Sequence, residues 1–359
     1  MKKIVTIALM AASVMTISAQ EKKVIELPAW VQNVKFSGYG MVQYQAFDKE
    51  DAEENAFQLR LVRLALEGRV LHDWYWKMQL QLNGNTSSLN ASPRMVDVFA
   101  EWQKYKFFMV KAGQFKRPFT FENPIHPITQ GFMSYSQPIS KFAGFADRTG
   151  EQSSNGRDIG VQIQGDFLKD KTGRNLLHYQ VGVFNGEGIN QKDKDNKKDI
   201  IGGLWVMPIQ GMRLGVFGWT GTRYMTTTET MESGTVSKTE SVRKNRYALS
   251  ADYQKDGWIF RAEYVHNQGF AANKDKGDKA DGWYALCIAP VVKGKVNAKA
   301  RYDCYRDQKT WESSKTYYEI GADYLFNKNV QLSVEYALVN ERSIHKNHNL
   351  VDVELDFRF

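Results

Sequence analysis

What this chain has little of narrows its class before any motif is read. After the first twenty residues no run of about 18 apolar side chains occurs, which excludes a bundle of membrane-spanning helices. Cysteine is limited to Cys287 and Cys304, so no disulfide framework holds the fold. Proline is scarce, with eight in 359 residues, while glycine (28) and the aromatics (13%) are plentiful. That balance suits strands joined by tight turns.

The amino terminus reads as an export leader. Lys2 and Lys3 form a positive start, Ile4 to Met15 an apolar core, and Ser18-Ala19 a small-residue cleavage site before Gln20. The pattern predicts a signal peptide over 1–19, a short periplasmic segment over 20–33 and one barrel domain over 34–359. No cysteine follows the cleavage site, which argues against a lipid-anchored protein. The net charge of +8 falls to +6 once the two leader lysines are removed. An excess of that sign suits nucleic acid, anionic solutes or lipopolysaccharide, and export removes nucleic acid as a partner.

The strongest signal is alternation with a period of two. In Val351-Asp352-Val353-Glu354-Leu355-Asp356-Phe357-Arg358-Phe359 every second residue is apolar and every residue between is charged. A helix would scatter those charges, whereas a strand sends all of them to one face. The same pattern sets Trp74, Trp76, Met78, Leu80 and Leu82 against Tyr75, Lys77, Gln79 and Gln81. Such segments predict strands at 34–46, 57–70, 74–83, 96–105, 107–116, 157–167, 176–184, 200–208, 211–221, 245–253, 257–266, 282–290, 297–306, 316–326, 329–338 and 349–359. Their connections alternate short and long. Leu71–Asp73, Ile209–Gln210, Gln254–Asp256 and Asn327–Lys328 are short; Gly84–Met95, Arg117–Gly156, Asn185–Lys198, Thr222–Lys244, Asn267–Asp281 and Val339–His348 are long. The expected fold is all-β: a transmembrane antiparallel β-barrel of about sixteen strands with short periplasmic turns and long extracellular loops. Aromatics at strand ends, among them Trp74, Trp258, Tyr324 and Phe357, suit the two membrane interfaces.

The segment Val110-Lys111-Ala112-Gly113-Gln114-Phe115-Lys116-Arg117-Pro118-Phe119, followed by Glu122-Asn123-Pro124, resembles the signature of the phosphate-selective porin O/P family. Arg157-Asp158-Ile159-Gly160-Val161-Gln162 and Val183-Phe184-Asn185-Gly186-Glu187-Gly188 are similar to that family's next strands. The resemblance implies a homotrimer of barrels in a Gram-negative outer membrane. Each barrel would have its third loop folded inward and basic side chains guiding small anions. Phe359 resembles the signal read by the barrel-insertion machinery. Outer-membrane lipid and lipopolysaccharide are the implied surroundings.

Anion passage needs fixed positive charge where a low-dielectric wall narrows the path. Strand parity places Arg63, Arg69, Lys77, Lys111, Arg213, Arg261, Lys299, Arg301 and Arg358 in the lumen. The third loop and its flanks add Lys116, Arg117, Lys141, Arg148 and Arg157. Of these, Lys141 and Arg148 are the expected constriction cations, with Lys77, Lys111, Lys116, Arg117, Arg157, Arg213, Arg261 and Arg301 as further anion-binding candidates. The same parity sends at least as many acids inward, from Glu67, which should pair with Lys77, to Asp356. Selectivity therefore falls to the loop, and phosphate selectivity and general diffusion both stay open. The loop is about forty residues long and carries Phe119, Phe121, Ile125, Phe132, Met133, Tyr135, Ile139, Phe142 and Phe145, a composition that packs better inside the barrel than in water.

No catalytic group, metal site or cofactor is expected. His72, His126, His178, His266, His345 and His348 read as wall or loop residues, and His345 with His348 lacks a third ligand. Parity points Cys287 inward and Cys304 outward, which would forbid a bridge. The competing reading is a plugged barrel serving as a receptor or scaffold.

Overall fold

The computed structural model describes residues 28, 30–49, 54–83, 93–143, 155–231, 234–269 and 279–359. The leader over 1–19, and Phe145 and Arg148 of the long loop, lie outside the described residues. Sixteen antiparallel strands close into one barrel: β1 (Val31–Phe47), β2 (Glu54–Val70), β3 (Trp74–Gln81), β4 (Arg94–Tyr105), β5 (Phe108–Lys116), β6 (Arg157–Lys169), β7 (Asn175–Phe184), β8 (Asp199–Val206), β9 (Met212–Met231), β10 (Gly234–Lys255), β11 (Trp258–Gly269), β12 (Lys279–Val292), β13 (Val296–Arg306), β14 (Ser314–Asn327), β15 (Val330–Glu341) and β16 (Lys346–Arg358). Every strand pairs with its sequence neighbours, and β16 returns to pair with β1.

Alternation decides which face each residue takes. In β16, Asp352, Glu354 and Asp356 are buried inside the barrel, while Val351, Leu355 and Phe357 are exposed on its outer wall. Tyr336, Val334, Leu249 and Val216 continue that exposed apolar surface around the barrel. A band of this kind is stable only against hydrocarbon. Glu67 stands opposite Lys77 with their charged groups 4.0 Å apart, as parity predicts. At the closing seam, the Phe359 and Phe357 rings lie over Gly38 and Gly40 of β1. A Cβ built at Gly38 would meet the Phe359 ring at 2.6 Å, so the seam needs glycine there.

Two expectations need correction. The segment Thr222–Lys244 is not a long loop: β9 and β10 remain paired up to Met231 and Gly234, forming a hairpin that outruns both neighbouring strands. Above the membrane a ribbon needs no apolar face, so the polar run hid its strands. In the same way, β11 reaches Gly269, β12 starts at Lys279, β15 reaches Glu341 and β16 starts at Lys346. The second correction concerns Cys287, which faces outward. Its partner is the exposed Ala300, whereas Tyr284, Leu286 and Ile288 are buried inside. Apolar residues turn inward on β12 because a loop, not water, lies against them. Both cysteines are free.

That loop is residues 117–156, between β5 and β6. Its described residues contain a 3-10 turn (Pro127–Thr129) and a short helix, α1 (Gln137–Phe142), which packs on β11, β12 and β13. The main apolar core joins Phe119, Phe121, Phe132, Ile139 and Phe142 of the loop to Phe217, Trp219, Val265, Tyr284, Leu286 and Ile288 of the wall. A smaller cluster joins Ile128 to Tyr39, Met41 and Leu61. The loop therefore touches opposite sides of the barrel.

Candidate functional site

A loop inside a barrel must satisfy its own backbone groups away from bulk water. Asn123 draws its two ends together, donating from Nδ2 to the carbonyls of Arg117 (2.8 Å) and Gly156 (3.3 Å). Glu263 accepts from the amides of Phe121 and Glu122, both at 2.8 Å. Glu335 accepts from Met133 N at 2.9 Å and Asp303 from Gln137 N at 2.8 Å. The carbonyls are met from the same wall: Arg261 donates to Gln130, Lys299 to Gly131, Arg301 to Ser134 and Arg246 to Phe142. Three of these cations also hold strand carboxylates, Arg261 pairing with Asp252 at 3.0 Å, Lys299 with Asp323 at 2.6 Å and Arg301 with Glu319. Charges on β9–β15 thus serve as anchors for the loop. Arg213 belongs to this group, paired with Asp252 at 2.6 Å and lying 4.4 Å from the Phe121 ring.

The facing wall, β2–β6, is engaged differently. A cavity of about 380 Å³ opens there towards the short turns, bounded on the loop side by Pro124, His126 and Pro127. Arg63, Lys77, Lys111, Lys116, Arg117 and Arg157 line it, with Asp97 as the one carboxylate among the described lining residues. Arg157 holds Asp97 at 2.6 Å, Lys111 lies 3.5 Å from Glu101, and Arg117 holds Asp158 at 2.8 Å. Among the described residues Arg63 bonds only to neutral groups, Gln81 Oε1 (2.8 and 2.9 Å) and Tyr39 Oη (3.1 Å). Its charge is therefore compensated by no direct ion pair, although the side chain is only 3% exposed. An unbalanced buried cation raises the local potential for any anion that enters.

On the other side of the loop, towards the long connections, lies a cavity of about 1000 Å³. Its charges are balanced: Lys49, Lys141, Arg301, Lys315 and Arg342 against Asp303, Asp307, Glu312, Glu319, Glu341 and Asp352. Lys141 sits in this upper cavity, 5.9 Å from the Tyr305 ring. The fold thus brings five candidates, Lys77 and Lys111 from the strands and Lys116, Arg117 and Arg157 from the loop and its flanks, to one cavity. It separates Lys141 from them and leaves Arg213, Arg261 and Arg301 in the anchoring wall.

Arg60 escaped strand parity. It pairs with Glu354 at 3.0 Å inside the barrel, because a β-bulge between the Met41–Leu61 and Val42–Leu59 pairs inserts one extra residue. The sequence sign is the broken alternation at Leu61-Val62, flanked by two arginines that could not otherwise share a face.

Glu122 and His126 of the loop have shifted acidities. Burial raises Glu122 to about 7, with Arg301 opposing the shift and Glu263 adding to it. Among the described residues its carboxylate accepts only from Ser136, through the backbone N (3.3 Å) and Oγ (2.5 Å). The surrounding protein, with Lys116 and Arg63 nearby, holds the His126 imidazole well below its usual range. Its Nδ1 accepts from Ile128 N at 3.2 Å and caps the 3-10 turn. Among the described residues, no cluster of three or more His, Cys, Asp or Glu is arranged to hold a metal ion.

Residues 36–199 match the family described as phosphate-selective porin O and P. Solved structures share the fold. The anion-selective porin from Comamonas acidovorans superposes with a TM-score of 0.65 at 14% identity, over 91% of this chain and 100% of that one. Salmonella typhi OmpF in complex with daunomycin gives 0.65 at 13% identity, over 93% and 100%. The trimer form of Vibrio cholerae OmpT gives 0.59 at 11% identity, over 91% and 99%. At such identities the likeness speaks for the fold alone. No curated protein matches the chain.

Proposed function

We propose that the chain, whose residues 36–199 match the family described as phosphate-selective porin O and P, is an anion-preferring diffusion pore of that kind. Family and fold support an outer-membrane channel. The preference for small anions, phosphate-like ones included, is the finer reading. One observation carries it: six cations line the lower cavity, and although Lys77, Lys111, Arg117 and Arg157 have carboxylate partners, Arg63 among the described residues bonds only to neutral groups. The upper cavity would then act as a charge-balanced vestibule and the lower one as the selective chamber. Passage of this kind makes and breaks no covalent bond.

The likeness to a trimeric porin supports a homotrimer for this chain. Export through the leader over 1–19, contact with lipopolysaccharide and insertion through Phe359 complete the reading. A loop touching β1, β2 and β10–β15 favours a second reading, the plugged receptor or scaffold barrel.

Single-channel recording in planar bilayers separates the two. Stable open steps support the pore, and silence supports the plug. For selectivity, the reversal potential in a KCl gradient should indicate anion preference, and phosphate should compete with chloride. A unit charge about 8 Å from the path, at an effective dielectric constant of about 40, contributes about 1 kcal/mol. The same charge acts with opposite sign on a cation, so Arg63→Gln should lower the anion-to-cation permeability ratio about thirtyfold. An unchanged ratio would remove the lower chamber from the selective path.

A further inference from the structure

The two cavities share no lining residue among those described, yet one side chain stands between them. Tyr135 lines the upper cavity. Its hydroxyl accepts from Lys116 Nζ at 2.9 Å and donates to Ile125 O at 3.1 Å. Lys116 lines the lower cavity, and its ammonium also donates to Ile125 O at 2.7 Å. The same ammonium lies 5.4 Å from the centre of the Tyr135 ring. At this point the partition is thus one phenol thick, with the first lower-chamber cation directly behind it. The neighbouring loop backbone cannot move aside as easily, since Glu335 holds Met133 N and Glu122 holds Ser136 N.

We propose that Tyr135 is the sieve between the chambers and that its hydroxyl keeps Lys116 ready to be taken over by an oxyanion. This deepens the pore reading and rests on it. A passing solute has to displace the phenol ring. Once the ring swings away, the ammonium loses one of its acceptors, the phenol oxygen. A carboxylate, sulfate or phosphate oxygen can replace that acceptor with a charge-assisted hydrogen bond, whereas a cation or a neutral apolar solute cannot. The class favoured is therefore small oxyanions, with size set by the ring and charge by the lysine.

The test is planar-bilayer recording of full-length wild type, Tyr135→Ala and Tyr135→Phe, each first checked for the heat-modifiable gel mobility of a folded barrel. Tyr135→Ala joins the cavities, and KCl conductance should rise at least about twofold. Tyr135→Val serves the same purpose if the alanine variant does not fold. Tyr135→Phe keeps the ring but removes the competing acceptor. Conductance should stay near wild type, while inorganic phosphate should block chloride current at a several-fold lower concentration. Wild-type conductance in both small variants overturns the sieve. A merged path in Tyr135→Ala with unchanged phosphate block in Tyr135→Phe overturns the oxyanion handover. A wild type that never conducts counts against the pore reading itself, a result distinct from either.

Discussion

Glu122 offers a quantitative test of how the loop is held. Its carboxyl is fully buried, accepts from Ser136 and lies close to Glu263, and this setting moves it from 4.5 to about 7. A shift of that size is worth about 3 kcal/mol between the two protonation states. The pKa is higher when the loop is docked, so docking is favoured fully below about pH 4.5. That advantage fades as pH rises and is gone above about 7. His126 acts in the opposite direction, because a depressed imidazole favours docking above its free pKa and loses that advantage as pH falls. His126 is exposed on its cavity side, so water screens its contribution, but the raw pH profile of the wild type mixes both. The clean quantity is therefore the difference between Glu122→Gln and wild type, in which His126 cancels. Gln is isosteric and neutral, and it can still accept from and donate to Ser136. Between pH 5 and 8.5 the variant should gain about two orders of magnitude in the docking equilibrium relative to wild type. Hydrogen exchange at the amides of Phe121, Met133 and Gln137, corrected for intrinsic rates, reads this equilibrium directly. Parallel pH profiles for the two proteins would refute the assignment of a buried, proton-holding carboxyl.

Three further outcomes follow from packing. Phe132 is 2% exposed, with the Arg301 guanidinium 4.4 Å from its ring, so Phe132→Ala should weaken loop docking by about 3–5 kcal/mol. This should appear as increased open-channel noise, while the unfolding temperature of the barrel stays near wild type. Gly38→Val forces the Phe359 ring off β1, with an overpacking cost of about 1–3 kcal/mol, and should diminish the heat-resistant gel band. Cys287 and Cys304 share the outer face but pair with Ala300 and Trp283, four positions apart, a spacing of about 13 Å along the strands. Reductant should leave gel mobility unchanged, and a shift would contradict the register.

The faces of the wall were legible because one side of each strand meets hydrocarbon and the other meets polar surroundings. Lys77, Arg213, Arg301 and Asp356 all lie inside the barrel, as alternation alone assigns them. Alternation failed where its premise failed. Tyr284, Leu286 and Ile288 point inward because Phe121, Phe132 and Ile139 cover them, which reverses the expected side of Cys287. Arg60 was hidden by a bulge, a property of two strands in register and not of either sequence. The use of the charges was hidden for a related reason. That Arg261 and Glu263 hold loop backbone while Arg63 meets only amide and phenol depends on which wall the loop chooses.

The joint between the first and last strands has a consequence for assembly. Fifteen of the sixteen strand pairings join neighbours in the chain, and each can zip as soon as its hairpin exists. The sixteenth, in which Gln43 meets Asp352 across 309 residues, has no such shortcut. Until that ring closes, β1 presents an open edge able to recruit any passing strand. Folding of this wall must therefore end where it began, and whatever shelters β1 in the meantime governs yield more than the strength of any single hairpin.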